Sequence, residues 1–476
     1  MKHSRPNIVF ILTDDQGPWA VPWLMPELQM PQLQQMADHG TVFNNFYCAS
    51  PVCSPARASL LTGRMPSAHG VQDWLIGTRH PQAKPDIYLD DVTTLPAVLA
   101  GAGYQCALTG KWHVGDSSEP APGYVSWYAH QYGGGPYYNA PIWDEDGQPT
   151  TEPEYFTDAV ASRAVDFIRN YVSDAPFFLH VATTAPHDPW DADNHPDDLL
   201  EVYADCDFPS VPREEPHPWV EPRSKHFAYA FADPITPLTG YCASLTGVDR
   251  LIGRVREALE ERGMSDNTVL IYMADNGFSC GHHGIWGKGN GTWPLNFFEN
   301  SVRVPFVIDV PDALRDQIDL PAQVDDHISA TSFFPTICDI AGATPPADPK
   351  RAGHSLLEAG KYRGSDDPVG VFDEYGGGRM IRSGQWKLVQ RFEGPTELYD
   401  LENDPEERQN LAGDEGYAQV QEELSETLRT WFTAHATAQH DGWELPVRGL
   451  GQIHPNWRAR GEDGFKQGGA CNDGNH

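Results

Sequence analysis

Near its start the chain runs Asn7-Ile8-Val9-Phe10-Ile11-Leu12-Thr13-Asp14-Asp15. The apolar run 8–12 is too short for an ordinary helix and reads as a strand buried on both faces. Two carboxylates follow it at once. The same pattern recurs further on. Residues 104–108 read as a strand leading into Gly110-Lys111-Trp112-His113, Phe177–Ala182 leads into Ala185-Pro186-His187, and Thr268–Ala274 ends in Asp275-Asn276. Helical patterns lie between these strands. Pro31–His39 has proline at its first position and Gly40 after its end. Residues 94–102 follow, then 156–171, with Val160, Ala164, Phe167, Ile168 and Tyr171 on one face. In 241–262, Leu245, Val248, Ile252, Val255 and Leu259 recur at steps of three and four, and Gly263 stops the helix. Residues 304–310 read as one further strand. The alternation predicts an α/β fold: a mostly parallel central sheet sandwiched by helices.

After Gly353 the texture changes. Residues 369–375, 380–382, Trp386–Arg391 and Glu397–Asp400 read as short strands of an antiparallel meander, with turns at 376–378 and Ser383-Gly384. A helix over 417–434 closes the unit. This divides the chain into an N-terminal catalytic domain, 1–365, and a smaller C-terminal subdomain of antiparallel sheet plus helix, 366–476. Residues 120–153 and 188–237 are rich in Pro, Asp, Tyr and Trp and read as ordered insertions beside a site. Residues 464–476 read as a frayed end.

The 476 residues carry 33 Lys plus Arg against 67 Asp plus Glu, a net charge of −34. That excludes a basic footprint for nucleic acid and docking on anionic membranes. With 40% hydrophobic and 11% aromatic residues the chain is globular rather than a disordered acidic one. No stretch approaches the ~20 apolar residues needed to span a bilayer. No signal peptide is seen, which places the chain in the cytoplasm, or in the periplasm or outside the cell if an export signal was removed. Eight scattered cysteines form no CxxC pair and argue against a disulfide framework. Oligomeric state is not readable.

In parallel sheets ligands bind at the carboxyl ends of strands. Four strand ends here carry Asp14 and Asp15, Lys111 and His113, His187, and Asp275 and Asn276. Any one of them reads equally as a cap or turn; four together indicate a site. Asp14, Asp15, Asp275 and Asn276 offer oxygen only, which suits a hard cation such as Ca²⁺, with Mg²⁺ as the alternative. Cys53-Ser54-Pro55-Ala56-Arg57 reads as a helix N-terminus, an anion-attracting end, with Arg57 one turn in. From the residues alone, Cys53 is equally a nucleophile and a buried structural thiol.

Cys53-Ser54-Pro55-Ala56-Arg57 resembles the C-x-P-[SA]-R signature of the type I, formylglycine-dependent sulfatases of the alkaline phosphatase-like superfamily. The stretch from Pro6 to Asp15 resembles that family's opening strand and metal aspartates. Gly110-Lys111-Trp112-His113 is similar to its G-K-W-H motif and Pro186-His187 to its P-H loop. Asp275-Asn276-Gly277 with His283-Gly284-Ile285-Trp286-Gly287-Lys288 resembles its D-[NH]-G…H-G-x-x-x-K segment. The run from Glu397 to Glu407 resembles its E-L-Y-D-L-x-x-D-P-x-E stretch. Ala56 stands where many members have Ser, and Asn276 where some have His.

The resemblance implies that a separate formylglycine-generating enzyme oxidises Cys53 to Cα-formylglycine. The hydrated aldehyde is a diol: one oxygen attacks sulfur, and the second lets sulfate leave without a separate hydrolysis. Asp14, Asp15, Asp275, Asn276 and modified Cys53 are then the Ca²⁺ ligands. Arg57 and Lys111 steady the diol, and His113 is the base that collapses the sulfated intermediate. His187 and Lys288 bind sulfate oxygens, one of them protonating the leaving alcohol. His283 either faces the substrate or supports its loop; His282 is structural.

Trp127, Tyr128, Tyr132, Tyr137, Tyr138 and Trp143, with Trp190, His195, Trp219 and Tyr229, fill the two insertions. They suit stacking on sugar rings, and suit packing more. The expected substrate is a small or oligosaccharide sulfate ester, a sulfated carbohydrate ahead of aryl or alkyl sulfates. The alternatives are a phosphonate monoester hydrolase or phosphodiesterase with the same formylglycine site, and a catalytically silent carbohydrate-binding relative. A two-zinc phosphatase lacks identifiable extra ligands.

Overall fold

The strand expected at 8–12 is Asn7–Thr13, buried at every position, and it lies inside an eight-stranded sheet. The computed structural model describes residues 5–75, 88–144, 146–220, 224–358, 367–373, 377–392 and 394–443. The sheet runs Gln323–Val324, Thr41–Phe43, Phe306–Asp309, Thr268–Ala274, Asn7–Thr13, Phe177–Ala182, Gln105–Gly110, Tyr124–Ala129. Phe306–Asp309 is antiparallel to both its neighbours, and the other pairings are parallel.

Alternation along the central strand builds both faces of the sandwich. Ile8, Phe10 and Leu12 join the core under the helices Cys53–Thr62, Leu95–Gly101 and Phe333–Ile340. Val9 and Ile11 join the opposite core, under Pro31–His39, Phe156–Arg169 and Ile235–Glu261. A strand flanked on both sides by helices must be apolar throughout, which is why its hydrophobic run is unbroken.

The register fixes the site. Leu12 pairs with Ala182, Gly110 with Ala182, and Thr13 with Ala274. Four neighbouring parallel strands therefore stop level with one another, and the polar residues after each emerge at one edge.

Several expectations are corrected. The strand expected over 304–310 is two, Arg303–Val304 and Phe306–Asp309, broken at Pro305, which has no N–H to offer a ladder. The first piece pairs with Phe46–Tyr47 in a separate small sheet. The helix expected at 241–262 starts earlier, at Ile235, because Pro237 falls in its first turn, where proline is tolerated. Residues 120–153 are only partly an insertion. Tyr124–Ala129 is the edge strand of the main sheet, and Ala140–Trp143 pairs with Pro149–Glu152 as a hairpin.

The meander is present as Val369–Asp373, Gly378–Ser383, Trp386–Arg391 and Glu397–Asp400, antiparallel in chain order. Helix Ala418–His435 lays Leu424, Leu428 and Phe432 on Phe372, Ile381, Leu388 and Leu398. Ala49 and Met65 of the larger unit join that cluster. The expected division at 365/366 and the expected frayed end at 464–476 lie outside the described residues. Seven cysteines are described, all free; Cys471 lies outside the description. No described helix is long and apolar enough to cross a membrane.

Candidate active site

Asp15 follows the central strand in a left-handed backbone conformation, φ 64°, uncommon for a non-glycine residue. Its neighbours hold it there. The Tyr241 hydroxyl donates to the Asp15 carbonyl at 2.9 Å and accepts from the Gly17 N–H at 3.0 Å. Asp14 N–H donates to the Ala185 carbonyl at 3.0 Å. The turn points both carboxylates at the sheet edge, where Asp275 joins them. One oxygen from each of the three carboxylates lies within 4.8 Å of the others.

Three cations face these carboxylates. Lys111 Nζ is 2.5 Å from Asp14 Oδ2, and Lys288 Nζ is 2.6 Å from Asp15 Oδ1. Arg57 Nε donates to Asp275 Oδ2 at 2.8 Å, and its Nη1 to the Lys111 carbonyl at 2.9 Å. Asn276 Nδ2 donates to Asp15 Oδ1 at 2.8 Å, which commits the nitrogen of that amide. Burial, with Asp14, raises the Asp275 carboxyl above its usual range, against the pull of Arg57, Lys111 and Lys288. Burial alone would lower Lys288, but Asp15 and the other acidic groups hold it well above its ordinary value.

Cys53 opens the buried helix Cys53–Thr62, and Arg57 sits one turn along it. Burial raises the Cys53 thiol, with Lys111 and Lys288 opposing. An unmodified Cys53 is therefore a thiol rather than a reactive thiolate.

The histidines are held differently. His113 Nε2 lies 3.0 Å from the Leu75 carbonyl, so it carries the proton and Nδ1 is the free lone pair. Burial, then Lys111 and Arg57, push His113 well below its ordinary value, so the ring is neutral. His187 Nδ1 donates to the Asp188 carbonyl at 2.8 Å, turning Nε2 toward Asp15 Oδ2 at 3.8 Å. His283 stands apart: its ring stacks on Phe298 at 3.9 Å, and its backbone N–H donates to Glu214 Oε1 at 3.1 Å. His282 packs on Trp19 at 4.8 Å.

Four buried atoms of this cluster have no hydrogen-bond partner among the described residues: Asp14 Oδ1, Asn276 Oδ1, Arg57 Nη2 and His113 Nδ1. Leaving such groups unpaired is costly unless a ligand satisfies them. Two are oxygens, one from the Asp14 carboxylate and one from the Asn276 amide, which fits a hard cation. The other two are a donor and a base, which fits a reacting group beside Cys53.

Of the residues expected from sequence, Asp14, Asp15, Cys53, Arg57, Lys111, His113, His187, Asp275, Asn276 and Lys288 converge. Sequence reading missed the partners that orient them: the Leu75 carbonyl, Tyr241, and Tyr137, whose hydroxyl donates to the His187 carbonyl at 2.8 Å. These are distant in sequence and carry no motif. Tyr137 and Trp190 are fully buried, so neither is an open stacking platform.

The sulfatase family model matches residues 6–343, and the model for the C-terminal part of N-sulphoglucosamine sulphohydrolase matches residues 281–433. The chain belongs to the sulfatase family and is a sulfatase, a hydrolase of sulfate esters. It is similar to the N-acetylglucosamine-6-O-sulfatase of Bacteroides thetaiotaomicron, at 28% identity over 89% of this chain and 86% of that protein. The choline-sulfatase of Rhizobium meliloti is also 28% identical, over 87% of this chain and 83% of that one. A solved structure in complex with its substrate D-glucosamine-2-N,6-O-disulfate is 25% identical, covers 92% of this chain and 99% of that chain, and superposes with a TM-score of 0.74. Family membership implies a metal and a formylglycine in general terms.

Proposed function

We propose that this sulfatase removes sulfate from a sulfated carbohydrate, with hexosamine 6-sulfates as the first class to test. The clustering of Asp14, Asp15 and Asp275, with Cys53 feeling the charges of Lys111, Lys288, Asp14 and Asp275 and with unpartnered atoms left on Asp14, Asn276, Arg57 and His113, carries the catalytic reading. Names of relatives support the sugar: an N-acetylglucosamine-6-O-sulfatase, a human N-acetylgalactosamine-6-sulfatase at 29% identity, and the glucosamine disulfate complex.

Asp14, Asp15, Asp275 and Asn276 would hold Ca²⁺, and Cys53 would become formylglycine through a separate maturation enzyme. Together these groups supply charge neutralisation at sulfate and a hydroxyl nucleophile carrying its own second hydroxyl. Arg57 Nη2 orients the nucleophile at position 53. Lys111 and Lys288 set positive charge against the transferring sulfate. His113 Nδ1 takes the proton whose loss expels sulfate. Lys288 is tied at 2.6 Å to Asp15, whereas His187 Nε2 has, among the described residues, no partner closer than Asp15 at 3.8 Å, and its side chain is partly exposed. His187 therefore protonates the leaving alcohol. Residues 1–365 would form the catalytic unit and 366–476 its buttress.

The test is turnover of defined monosaccharide sulfates by the formylglycine-bearing protein, following sulfate release. Matched nitrophenyl sulfate and phosphonate esters run beside them. A preference of kcat/KM for the phosphonate ester would overturn the reading, as would no release from any sugar sulfate.

A further inference from the structure

The segment between the edge strand Tyr124–Ala129 and the hairpin contains three consecutive glycines, Gly133-Gly134-Gly135. They lie against the two histidines of the site. A β-carbon added to Gly133 would overlap the His113 imidazole. One added to Gly134 would stand 2.7 Å from His187 Cε1 and 2.8 Å from its Nδ1, closer than real β-carbons approach other atoms. The bare backbone of Gly133 and Gly134 is thus in direct contact with both rings.

The segment is pinned on both sides. Before the glycines, His130 N–H donates to the Gly110 carbonyl and Gln131 N–H to the Pro141 carbonyl, each at 2.9 Å. After them, Tyr137 N–H donates to Asn194 Oδ1 at 3.1 Å, and the Tyr137 hydroxyl donates to the His187 carbonyl at 2.8 Å. Tyr137 is itself fixed by stacking on Tyr155, with ring centroids 5.4 Å apart.

Each imidazole has one hydrogen bond from behind: His113 to Leu75, His187 to Asp188. A ring held at one nitrogen can still swing about that bond. Backbone against its surface removes that freedom, and a misplacement of about 1 Å can lose a hundredfold in rate.

We propose that Gly133 and Gly134 are positioning residues. Their side-chain-free backbone sets the rings of His113 and His187, and Tyr137 completes the clasp on His187. The inference rests on the roles given above to these histidines. It extends them by naming the element that makes proton donation to a poor leaving group efficient.

The two rings act at different steps, so the glycines are separable. His187 donates as the alcohol leaves. A nitrophenolate leaves without a proton, but a sugar alkoxide does not. His113 acts after the alcohol has gone.

The experiment compares kcat on 4-nitrophenyl sulfate and on a sugar 6-sulfate for formylglycine-bearing G133A, G134A, Y137F and H187A. Thermal midpoint and Tb³⁺ luminescence confirm fold and cation site. G134A is expected to lose about a hundredfold on the sugar sulfate and far less on the nitrophenyl ester. Y137F, close to isosteric, should show the same selectivity at about three- to tenfold, and it carries the test if G134A does not fold. G133A should slow both esters alike and give a burst of nitrophenolate. Equal losses on both esters in G134A and Y137F, while H187A discriminates between them, would overturn the clasp and leave the acid role standing. An H187A variant that slows both esters equally would remove the acid role, and the proposal with it.

Discussion

Replacing Lys387 by methionine should destabilise the protein in a pH-dependent way. Lys387 is fully buried, with Nζ 3.0 Å from Glu299 Oε1 and 2.6 Å from Glu407 Oε1. Glu407 also accepts the Glu299 N–H at 2.7 Å, and Tyr47 donates to Glu299 Oε2 at 2.9 Å. Two buried carboxylates thus share one ammonium. Burial and the Glu299 charge push Glu407 up to about 7. Burial would raise Glu299 too, but Lys387, Arg303 and Arg382 hold it down to about 2. Glu407, with its folded value raised, contributes stability present below about 4.5 and lost as pH rises through about 7. Glu299, with its value depressed, contributes stability present above about 4.5 and lost as pH falls through about 2. Without the ammonium both carboxyls favour the protonated form, and each loses up to about 1.4 kcal/mol per pH unit on ionising. Wild type loses that from one group between about pH 5 and 7; the variant loses it from two. The penalty of K387M should therefore grow from about 1 kcal/mol near pH 5 to about 3–5 kcal/mol near pH 7.5. Urea unfolding followed by tryptophan fluorescence at both pH values measures it. A penalty under about 1 kcal/mol at the higher pH, or one that does not change with pH, would refute the reasoning. Activity should fall with stability, because the turn Glu299–Val302 presents the Ser301 carbonyl that holds Gly277 N–H at 3.1 Å, next to Asn276.

Protein carrying only unmodified Cys53 should be almost inactive, since burial keeps the thiol protonated. Mass spectrometry of the Cys53 peptide set against turnover checks this, and full activity from wholly unmodified chain would sink it. Chelating Ca²⁺ should abolish turnover and lower the thermal midpoint, with the midpoint rising again with added Ca²⁺; a midpoint indifferent to the ion contradicts the assignment of Asp14, Asp15, Asp275 and Asn276. Asn276→Ala should weaken Tb³⁺ binding and lower kcat about tenfold or more, and unchanged affinity would place the amide outside the ligand set. With a net charge of −34 on the chain and a site whose three cations balance three carboxylates until Ca²⁺ adds positive charge, moderate salt should leave kcat/KM level or raise it. A steep fall would show that steering comes from a long-range positive field.

The Asn7–Thr13 strand, the helices Pro31–His39, Leu95–Gly101, Phe156–Arg169 and Ala418–His435 and the meander were legible because each is local, with burial on one or two faces writing a period of two or 3.6 into consecutive residues. The helix Phe333–Ile340 was not read. The ten residues that meet at the candidate site were legible because each follows a strand, opens a helix or sits in a short motif. The edge strand Tyr124–Ala129 was not, since its burial is uneven and its pattern is lost in a Gly- and Tyr-rich run. His283 left two readings open, and its ring stacks on Phe298.

What the sequence determined alone is which chemical groups exist and that strand ends carry them. Only the tertiary structure decided how they are oriented. The lone pair left on His113 follows from the Leu75 contact, Tyr137 and Gly134 lie against His187, and Tyr241 bonds the left-handed turn at Asp15. These partners lie from 38 to 226 residues away along the chain. No local periodicity records such a contact, because it forms only when the sheet register brings the four strand ends level.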